Sequence, residues 1–320
     1  MADPMLPRKT AEGRLDDIRH CVACCNCWSD LAGRRVPIGC SVNARMGKER
    51  EYTLTPTETP KNIWVIGGGP GGMEAARIAA KRNHKVTLFD NRDRLGGQLL
   101  YADLPPHKGE WRSFITYQSG QLKKLGVKVE LNKEIQVEDI QSGRPDAVIV
   151  ATGARSLIPP IEGVYGPNVS TCVDVLTGRK TVGDEAVIIG AGAVGCETAE
   201  FLLERGKKVT LIEMQAEIAP DVDFWNRWIL LDRLAKTDLR IMTETSAEEI
   251  NSEGVRVKNQ GQAEFIAADS VVLAVGARSY NALLNELRGK FENIHAIGDC
   301  VKPQKVRQAV DEGFRIGMTI

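Results

Sequence analysis

The sequence lacks an excess of charge of either sign and lacks long apolar runs. Its 320 residues carry 42 lysines and arginines against 42 aspartates and glutamates. Because no basic block is present that could follow a phosphate backbone, we expect no nucleic-acid partner. Apolar runs such as residues 146–151 have strand length, far short of the roughly 20 residues that span a bilayer, so we expect no membrane partner. Residues 1–9 contain no apolar signal-peptide core, which predicts a cytoplasmic protein.

The sequence also lacks the evenly spread cysteines of a disulfide framework. Five of its eight cysteines lie within the first forty residues, and the others are the isolated Cys172, Cys196 and Cys300. In a reducing compartment, such crowding indicates metal or redox chemistry rather than cross-links. The length suits two domains of ordinary size.

The strongest pattern in the sequence is a repeat with an offset of 123 residues. A short apolar strand runs into a G-x-G-x-x-G loop at residues 67–72, and the same arrangement recurs at 190–195. In both copies an acidic residue ends the next strand, 18 residues after the third glycine, and these residues are Asp90 and Glu213. The sequence therefore predicts two similar strand-loop-helix units.

Each part of this pattern has a physical role in dinucleotide binding. The first glycine permits a tight turn, the second lets a pyrophosphate approach the backbone, and the third lets the helix pack on the sheet. The phosphates lie at the positive end of the helix, and the acid accepts hydrogen bonds from ribose hydroxyls. Both units end on G-A-R-S, at residues 153–156 and 276–279. The chain can therefore hold two dinucleotides.

Glu213 bears on the choice between NADH and NADPH. Its carboxylate would accept a hydrogen bond from a ribose 2′-OH and repel a 2′-phosphate, and residues 214–216 offer no arginine that could neutralise a phosphate. We therefore expect NADH. The alternative is that Glu213 only faces solvent at the end of its strand.

The order of segments predicts a nested domain organisation. We expect a cysteine-rich cluster-binding segment and linker over residues 1–58, a first nucleotide-binding domain over 59–160 and 286–320, and a second over 161–285. A last strand near 294–299 has no counterpart in the repeat, so we expect it to return and complete the first domain. The predicted helices cover residues 72–82, 111–125 and 194–205, with another from about 304.

This nested order resembles the two-dinucleotide flavoprotein reductases of the glutathione reductase type, over residues 61–320. The resemblance implies an α/β fold with two nested Rossmann-like domains, of which the first binds FAD and the second NAD(H). It places residues 96–98 and the Gly298-Asp299 pair at the flavin and its ribityl chain, and the backbone near Ile135 at the adenine. The implied FAD residues are Gly67, Gly69, Pro70, Gly71, Gly72, Asp90, Gly97, Gln98, Ile135, Ala151, Thr152, Gly153, Gly298 and Asp299. The implied NAD residues are Gly190, Gly192, Val194, Gly195, Glu213 and Gly276.

The N-terminal cysteines have a spacing typical of an iron–sulfur site. Cys21, Cys24, Cys27 and Cys40 form C-x2-C-x2-C-x12-C, in which a tight group of three thiolates is completed by one distant ligand. This pattern favours a [4Fe–4S] cluster. Structural zinc, which prefers two separated C-x2-C pairs, and unligated thiols are the alternatives. Cys25 is expected to be a small buried side chain.

A closer resemblance covers the N-terminal segment. Residues 2–4, 16–19 and 40–43, with the cysteine spacing, look like the junction in the trimethylamine dehydrogenase and 2,4-dienoyl-CoA reductase family of the old yellow enzyme group. Members of that family carry an FMN-binding TIM barrel, then the cluster, then the FAD and NAD(P)H domains. This chain starts where that barrel ends. The resemblance implies an FMN-barrel domain or subunit, or an external electron-acceptor protein, as a partner, and FMN only with such a partner.

These features predict an NADH:flavin oxidoreductase. Electrons would pass from NADH to FAD, to the [4Fe–4S] cluster and to an acceptor, because a flavin can exchange both hydride and single electrons. No side chain need act as a general base. The alternative is a non-catalytic relay with ADP in the FAD position, carrying electrons outward from a partner dehydrogenase. Disulfide reduction is not expected, because no cysteine pair lies near residues 95–99. A likeness to the small subunit of glutamate synthase is weaker, since those proteins have more cysteines.

Overall fold

The computed structural model describes residues 1–320 and contains fifteen strands and eleven α-helices. The strands are β1 (Asn62–Ile66), β2 (Lys85–Phe89), β3 (Lys128–Glu130), β4 (Ala147–Val150), β5 (Ala154–Ser156), β6 (Val169–Thr171), β7 (Glu185–Ile189), β8 (Lys208–Ile212), β9 (Arg240–Met242), β10 (Thr245–Asn251), β11 (Gly254–Asn259), β12 (Gln262–Ala267), β13 (Ser270–Leu273), β14 (Ala277–Ser279) and β15 (Ile294–Ala296).

The helices are mostly short. They are α1 (Leu6–Ala11), α2 (Asn26–Trp28), α3 (Pro70–Lys81), α4 (Leu99–Ala102), α5 (Trp111–Lys124), α6 (Val137–Gly143), α7 (Cys172–Leu176), α8 (Ala193–Leu203), α9 (Phe224–Leu234), α10 (Ala282–Leu287) and α11 (Val306–Thr319). A π-helical turn over Ser29–Arg34 continues α2. The structure contains no helix with the length and apolar character needed to cross a bilayer.

The chain divides into two compact units. The first comprises Met1–Asp103, Glu110–Arg155 and Arg278–Ile320, and the second comprises Leu104–Gly109 and Ser156–Ala277. β5 and β14, where the chain passes from one unit to the other, form a two-stranded sheet. The second unit is thus inserted into the first, which confirms the nested order.

A parallel five-stranded sheet forms the centre of the first unit, in the order β15-β4-β1-β2-β3. The sheet is covered by helices on both faces, so Ile63 and Val65 of β1 are fully buried. β15 pairs with β4, with Ile294 opposite Val148, so the last strand of the chain does return to the first unit. Helix α11 follows and packs closely on α3, where a Cβ at Gly313 would overlap the backbone of α3.

The second unit repeats this sheet in the order β6-β13-β7-β8-β9. Its edge strand β6 precedes the repeat, whereas the corresponding strand of the first unit comes from the end of the chain. An antiparallel sheet, β10-β11-β12, adds a second layer that the sequence did not predict. Its central strand packs inward, since Val255 and Val257 are fully buried.

The N-terminal cysteine segment is part of the first unit. Ala2, Val22 and Val42 are buried in one cluster with Phe114 of α5 and Phe314 of α11. Burial of these side chains removes apolar surface from water, at about 25 cal/mol per Å². The cysteine segment is therefore anchored to the first nucleotide-binding fold, and Cys24 and Cys40 pack against the same cluster.

Candidate functional site

The loop between β1 and α3 has the geometry that its glycines predict. Gly67 has φ +115°, and a Cβ there would overlap the carbonyl of Ala151 at the end of β4. A Cβ at Gly72 would overlap the carbonyl of Gly67, so α3 can approach the sheet only with glycine at that position. The first and third glycines are thus required by the fold itself.

The second glycine leaves open space. A Cβ at Gly69 would come no closer than 3.9 Å to any other residue, the nearest atom being the Cα of Gly97. Helix α3 begins at Pro70, and no side chain caps its N-terminus. Its first free N–H groups and the positive end of its dipole are therefore available to an anion. This cradle fits the pyrophosphate of a dinucleotide.

Asp90 fixes the loop beside this cradle. Its Oδ2 accepts a hydrogen bond from the N–H of Gly68 at 2.6 Å, and its Oδ1 accepts one from the N–H of Arg92 at 2.8 Å. The residue is 8% exposed. Two backbone donors hold the carboxylate at the end of β2, where a bound ribose would meet it.

Gln98 and Asp299 are brought together from positions 201 residues apart. The Gln98 Nε2 donates to Asp299 Oδ2 at 2.7 Å, and the N–H of Gln304 donates to Oδ1 at 3.0 Å. Burial raises the pKa of the Asp299 carboxyl, and these two hydrogen bonds partly offset the effect. The two residues assigned to the flavin by resemblance therefore form one polar pair beside the cradle.

The remaining residues assigned to FAD lie in the same unit. Thr152 donates its hydroxyl to the carbonyl of Tyr280 at 2.6 Å, and the carbonyl of Gly153 accepts the N–H of Tyr280 at 2.9 Å. Ile135 is 3% exposed and packs in a core cluster with Phe89. These contacts fix the backbone at the ends of β2 and β4, and the individual FAD contacts remain predictions.

The second unit repeats the loop geometry. Gly190 has φ +100°, and a Cβ at Gly195 would overlap the carbonyl of Gly190. Glu213 takes the place of Asp90, since its Oε2 accepts the N–H of Ala191 at 2.7 Å and its Oε1 accepts the N–H of Gln215 at 2.9 Å. Glu213 is therefore held by the loop and does not simply face solvent.

The two units differ at the N-terminus of the helix that follows the loop. In the second unit, the Oδ1 of Asp221 accepts the N–H of Ala193, the first residue of α8, at 2.8 Å. Asp221 was not among the residues predicted from the sequence. No local signal would have found it, because the contact depends on how the segment after β8 folds back over the glycine loop.

An ion pair in the second unit was also not predicted. Lys108 Nζ lies 2.6 Å from Glu197 Oε1, so the short segment Leu104–Gly109 belongs to this unit. Burial raises the pKa of the Glu197 carboxyl, and Lys108 opposes this rise. The sequence indicated only an interruption at this segment.

The four cysteines of the proposed cluster lie on one segment of the first unit. Cys21 is exposed, and Cys24, Cys27 and Cys40 are half-buried. Ala23 and Cys25 both have left-handed backbone, with φ +49° and +54°, so the chain curls tightly through this region. Burial raises the pKa of the Cys40 thiol, and the nearby Cys24 thiolate adds to the rise.

No three His, Cys, Asp or Glu side chains lie close enough to share one metal ion. A tetrahedral zinc site with Zn–S bonds of about 2.3 Å would need its sulfurs within about 4 Å of one another. In an iron–sulfur cubane each cysteine binds a different iron, so the sulfurs stand further apart. The donor set of four thiols fits such a cluster in composition, and the cluster remains a proposal.

A buried carboxylate ties this segment to α11. Asp30 is 1% exposed, and its Oδ2 accepts Arg307 Nη1 at 2.6 Å and the N–H of Gly39 at 2.9 Å. A Cβ at Gly39 would overlap the guanidinium of Arg307. Arg34 binds the other oxygen at 3.0 Å. The contacts of Asp30 therefore position the loop that carries Cys40, and the sequence did not predict them.

The other three cysteines are buried and unsuited to disulfide chemistry. Burial raises the pKa of Cys172 to about 11 and that of Cys196 to about 12. Cys300 is fully buried, and its thiol donates to the carbonyl of Val150 at 3.2 Å. Since the thiolate is the reactive form, these residues serve packing.

Comparison with known proteins agrees with this architecture. Residues 61–313 match the family described as pyridine nucleotide-disulphide oxidoreductase. The chain is 38% identical to a metal reductase of Desulforamulus reducens, covering 98% of this chain and 52% of the relative. It is also 38% identical to a bilirubin reductase of Mediterraneibacter gnavus, covering 98% and 49%. This chain thus spans about half the length of these relatives.

A solved structure supports the same relationship. A 2-naphthoyl-CoA reductase in complex with 2-naphthoyl-CoA superposes with a TM-score of 0.96 at 35% identity, over 100% of this chain and 49% of that one. The match includes the cysteine segment, which lies outside the family match over residues 61–313. The chain therefore belongs to the pyridine nucleotide-disulphide oxidoreductase family, and it is homologous to the C-terminal halves of flavoenzymes of the old yellow enzyme and trimethylamine dehydrogenase type.

Proposed function

We propose that this chain is an NADH-dependent electron-transfer module. It binds FAD in the first unit, NADH in the second, and a [4Fe–4S] cluster on Cys21, Cys24, Cys27 and Cys40. Bound FAD supplies the change from hydride transfer to single-electron transfer. The protein binds and orients the cofactors, and no side chain acts as a general base. Residues 1–58 serve the cluster, 59–160 and 286–320 serve FAD, and 161–285 serve NADH.

The observation that carries this proposal is the duplicated cradle. The Asp90 carboxylate accepts a hydrogen bond from the N–H of Gly68, and the Glu213 carboxylate accepts one from the N–H of Ala191 at the corresponding position. A chain that bound only one nucleotide would not require a second glycine loop fixed by an acid. Two dinucleotide sites in one chain of an oxidoreductase family fit a flavin and its nicotinamide donor.

Residues near the cysteines support the proposed cluster. Arg19, two residues before Cys21, is 8% exposed, its Nε donates to the carbonyl of Ala2 at 2.8 Å, and its guanidinium lies 5.6 Å from the ring of Tyr117. A buried cation of this kind would stabilise an anionic thiolate cluster. The Arg19 charge also opposes the rise in the pKa of the Cys40 thiol.

The electron acceptor is proposed to be an FMN-barrel domain or subunit, or another acceptor protein. The relatives extend over about twice the length of this chain, so a second body of similar size accompanies the matched region in those proteins. Trp28, Leu31 and Val36, close to Cys27 in the sequence, are 45–53% exposed. Exposed apolar side chains grouped in this way are typical of an interaction surface.

Anaerobic stopped-flow spectroscopy tests the proposed reaction. Protein loaded with FAD and iron and mixed with NADH should first lose flavin absorbance and then cluster absorbance. Bound FAD that stays oxidised under excess NADH would rule out the reductase proposal.

Extraction of the nucleotide separates this proposal from its alternative. Heat-denatured protein should release yellow, fluorescent FAD. Recovery of ADP alone would favour a relay that carries electrons outward from a partner dehydrogenase. The elements that argue for a flavin are Gln98 and Asp299, because an ADP moiety would leave their polar pair without a ligand.

A further inference from the structure

The N-terminus of α8 already carries a negative charge. Asp221 Oδ1 accepts the N–H of Ala193 at 2.8 Å, and both carboxylate oxygens lie within 3.8 Å of the position that a Cβ on Gly192 would occupy. Gly192 is the second glycine of the loop, the one that admits a pyrophosphate. The Asp221 carboxylate therefore occupies the place where the phosphates of a dinucleotide would bind.

The first unit shows what this place looks like without a competing carboxylate. The Gly96 N–H donates to the Gly68 carbonyl at 2.9 Å, and at the 123-residue offset the Ala219 N–H donates to the Ala191 carbonyl at 2.7 Å. The two loops are thus folded alike. Two residues later, the first unit has the uncharged Gln98, which turns to Asp299. The residue that corresponds to Ala193 is Pro70, which has no N–H for a side chain to cap.

Neighbouring carboxylates in the second unit are neutralised, but Asp221 is not. Glu197 pairs with Lys108, and Glu200 pairs with Arg233. The Asp221 carboxylate makes its hydrogen bond only to the backbone of α8. A pyrophosphate arriving at this helix would therefore meet an unpaired negative charge at close range.

The segment before Asp221 is fixed, whereas the Asp221 side chain is exposed. The loop body is anchored, because Ala219 is fully buried and Arg227 Nη2 donates to the carbonyl of Ile218 at 2.9 Å. Asp221 itself is exposed. Rotation about its side-chain bonds can carry the carboxylate into water while the backbone stays in place.

We propose that Asp221 is an affinity-setting residue that competes with the pyrophosphate of NADH for the N-terminus of α8. This inference rests on the proposed binding of NADH to the second unit. A bound dinucleotide must displace the Asp221 carboxylate, and this cost lowers the affinity for the dinucleotide. The product NAD⁺ therefore dissociates readily after hydride transfer. Two unit charges about 4 Å apart in water repel by an amount equivalent to roughly a fivefold change in affinity.

The experiment compares wild-type protein with the Asp221→Asn and Asp221→Ala variants, each loaded with FAD and reduced with dithionite beforehand, so that NADH binds without transferring a hydride. Binding of NADH and of ADP-ribose is measured by calorimetry, and FAD content and thermal unfolding are recorded for every protein. The control is Asp238→Asn, which removes an exposed carboxylate that precedes β9 and therefore lies at the opposite edge of the sheet. ADP-ribose carries the pyrophosphate but no nicotinamide.

The expected result is that both Asp221 variants bind NADH and ADP-ribose about fivefold or more tightly, while the control is unchanged. Equal affinity of wild type and variants, or a gain confined to NADH, would overturn the inference and leave the proposed function intact. Absence of NADH binding in all four proteins would instead overturn the proposed function, and the inference with it.

Discussion

The Glu213 carboxylate accepts the N–H of Ala191 at 2.7 Å, and Asp90 makes the corresponding contact with Gly68 at 2.6 Å. In each unit an acid at the end of one strand therefore fixes the loop at the end of the neighbouring strand. Because parallel strands present their carboxyl ends at one edge, both partners reach the place where a nucleotide would bind.

Replacement of Glu213 should alter nucleotide choice. In Glu213→Gln the loop loses a charge-assisted hydrogen bond, so we expect NADH binding to weaken by about 1–2 kcal/mol, roughly tenfold. The preference for NADH over NADPH should also narrow, since the charge that repels a 2′-phosphate is gone. Dissociation constants for both nucleotides provide the measurement. Glu248→Gln, at an exposed position on β10, is the control, and an unchanged NADH/NADPH ratio would contradict the role given to Glu213.

Two helical glycines of the first unit should respond in opposite ways to alanine. Gly72→Ala places a Cβ against the carbonyl of Gly67 and should destabilise the protein by about 2–3 kcal/mol, with loss of bound FAD. Gly120→Ala in α5 meets no atom within 4 Å and should stabilise it by about 0.5–1 kcal/mol. Urea unfolding measures both. Equal effects of the two substitutions would show that Gly72 is not required for close packing.

We expect the Asp30 carboxylate to fix the cysteine segment in place against α11. Asp30→Ala removes the acceptor shared by Arg307, Arg34 and the N–H of Gly39, so we expect a loss of about 2–4 kcal/mol in the free energy of unfolding. Iron bound after reconstitution should fall as well, because Gly39 precedes Cys40. Asp16→Ala, at an exposed position in the same segment, is the comparison. If the Asp30→Ala variant bound as much iron as the wild type, Asp30 would not be needed for cluster assembly.

Alkaline pH should destabilise the second unit through Cys196. Burial raises the pKa of this thiol to about 12, above its ordinary value of 9.0, so the unfolded chain loses the proton first. The stabilisation is therefore complete below about pH 9 and is lost as pH rises towards 12, by up to a few kcal/mol. Cys196→Ala should reduce the slope of unfolding free energy against pH in this range. An identical slope in the variant would show that Cys196 does not contribute.

The sequence located the repeated elements closely. The helix predicted over residues 72–82 is α3 at Pro70–Lys81, and the helix predicted over 111–125 is α5 at Trp111–Lys124. Their periodic apolar positions and flanking glycines are local signals. Prediction placed the start of α3 two residues late, because Pro70 takes the first helical position, where its missing N–H costs nothing.

The sequence by itself determined the two glycine loops, their acids Asp90 and Glu213, and the return of the last strand, because spacing and periodicity express local backbone requirements. Only the tertiary structure decided which distant side chains meet. Asp30 reaches Arg307 across 277 residues, and Asp221 folds back over 28 residues to the start of α8. These contacts depend on how loops cross the edges of the sheets, and loop paths follow from packing in three dimensions, which no local pattern records.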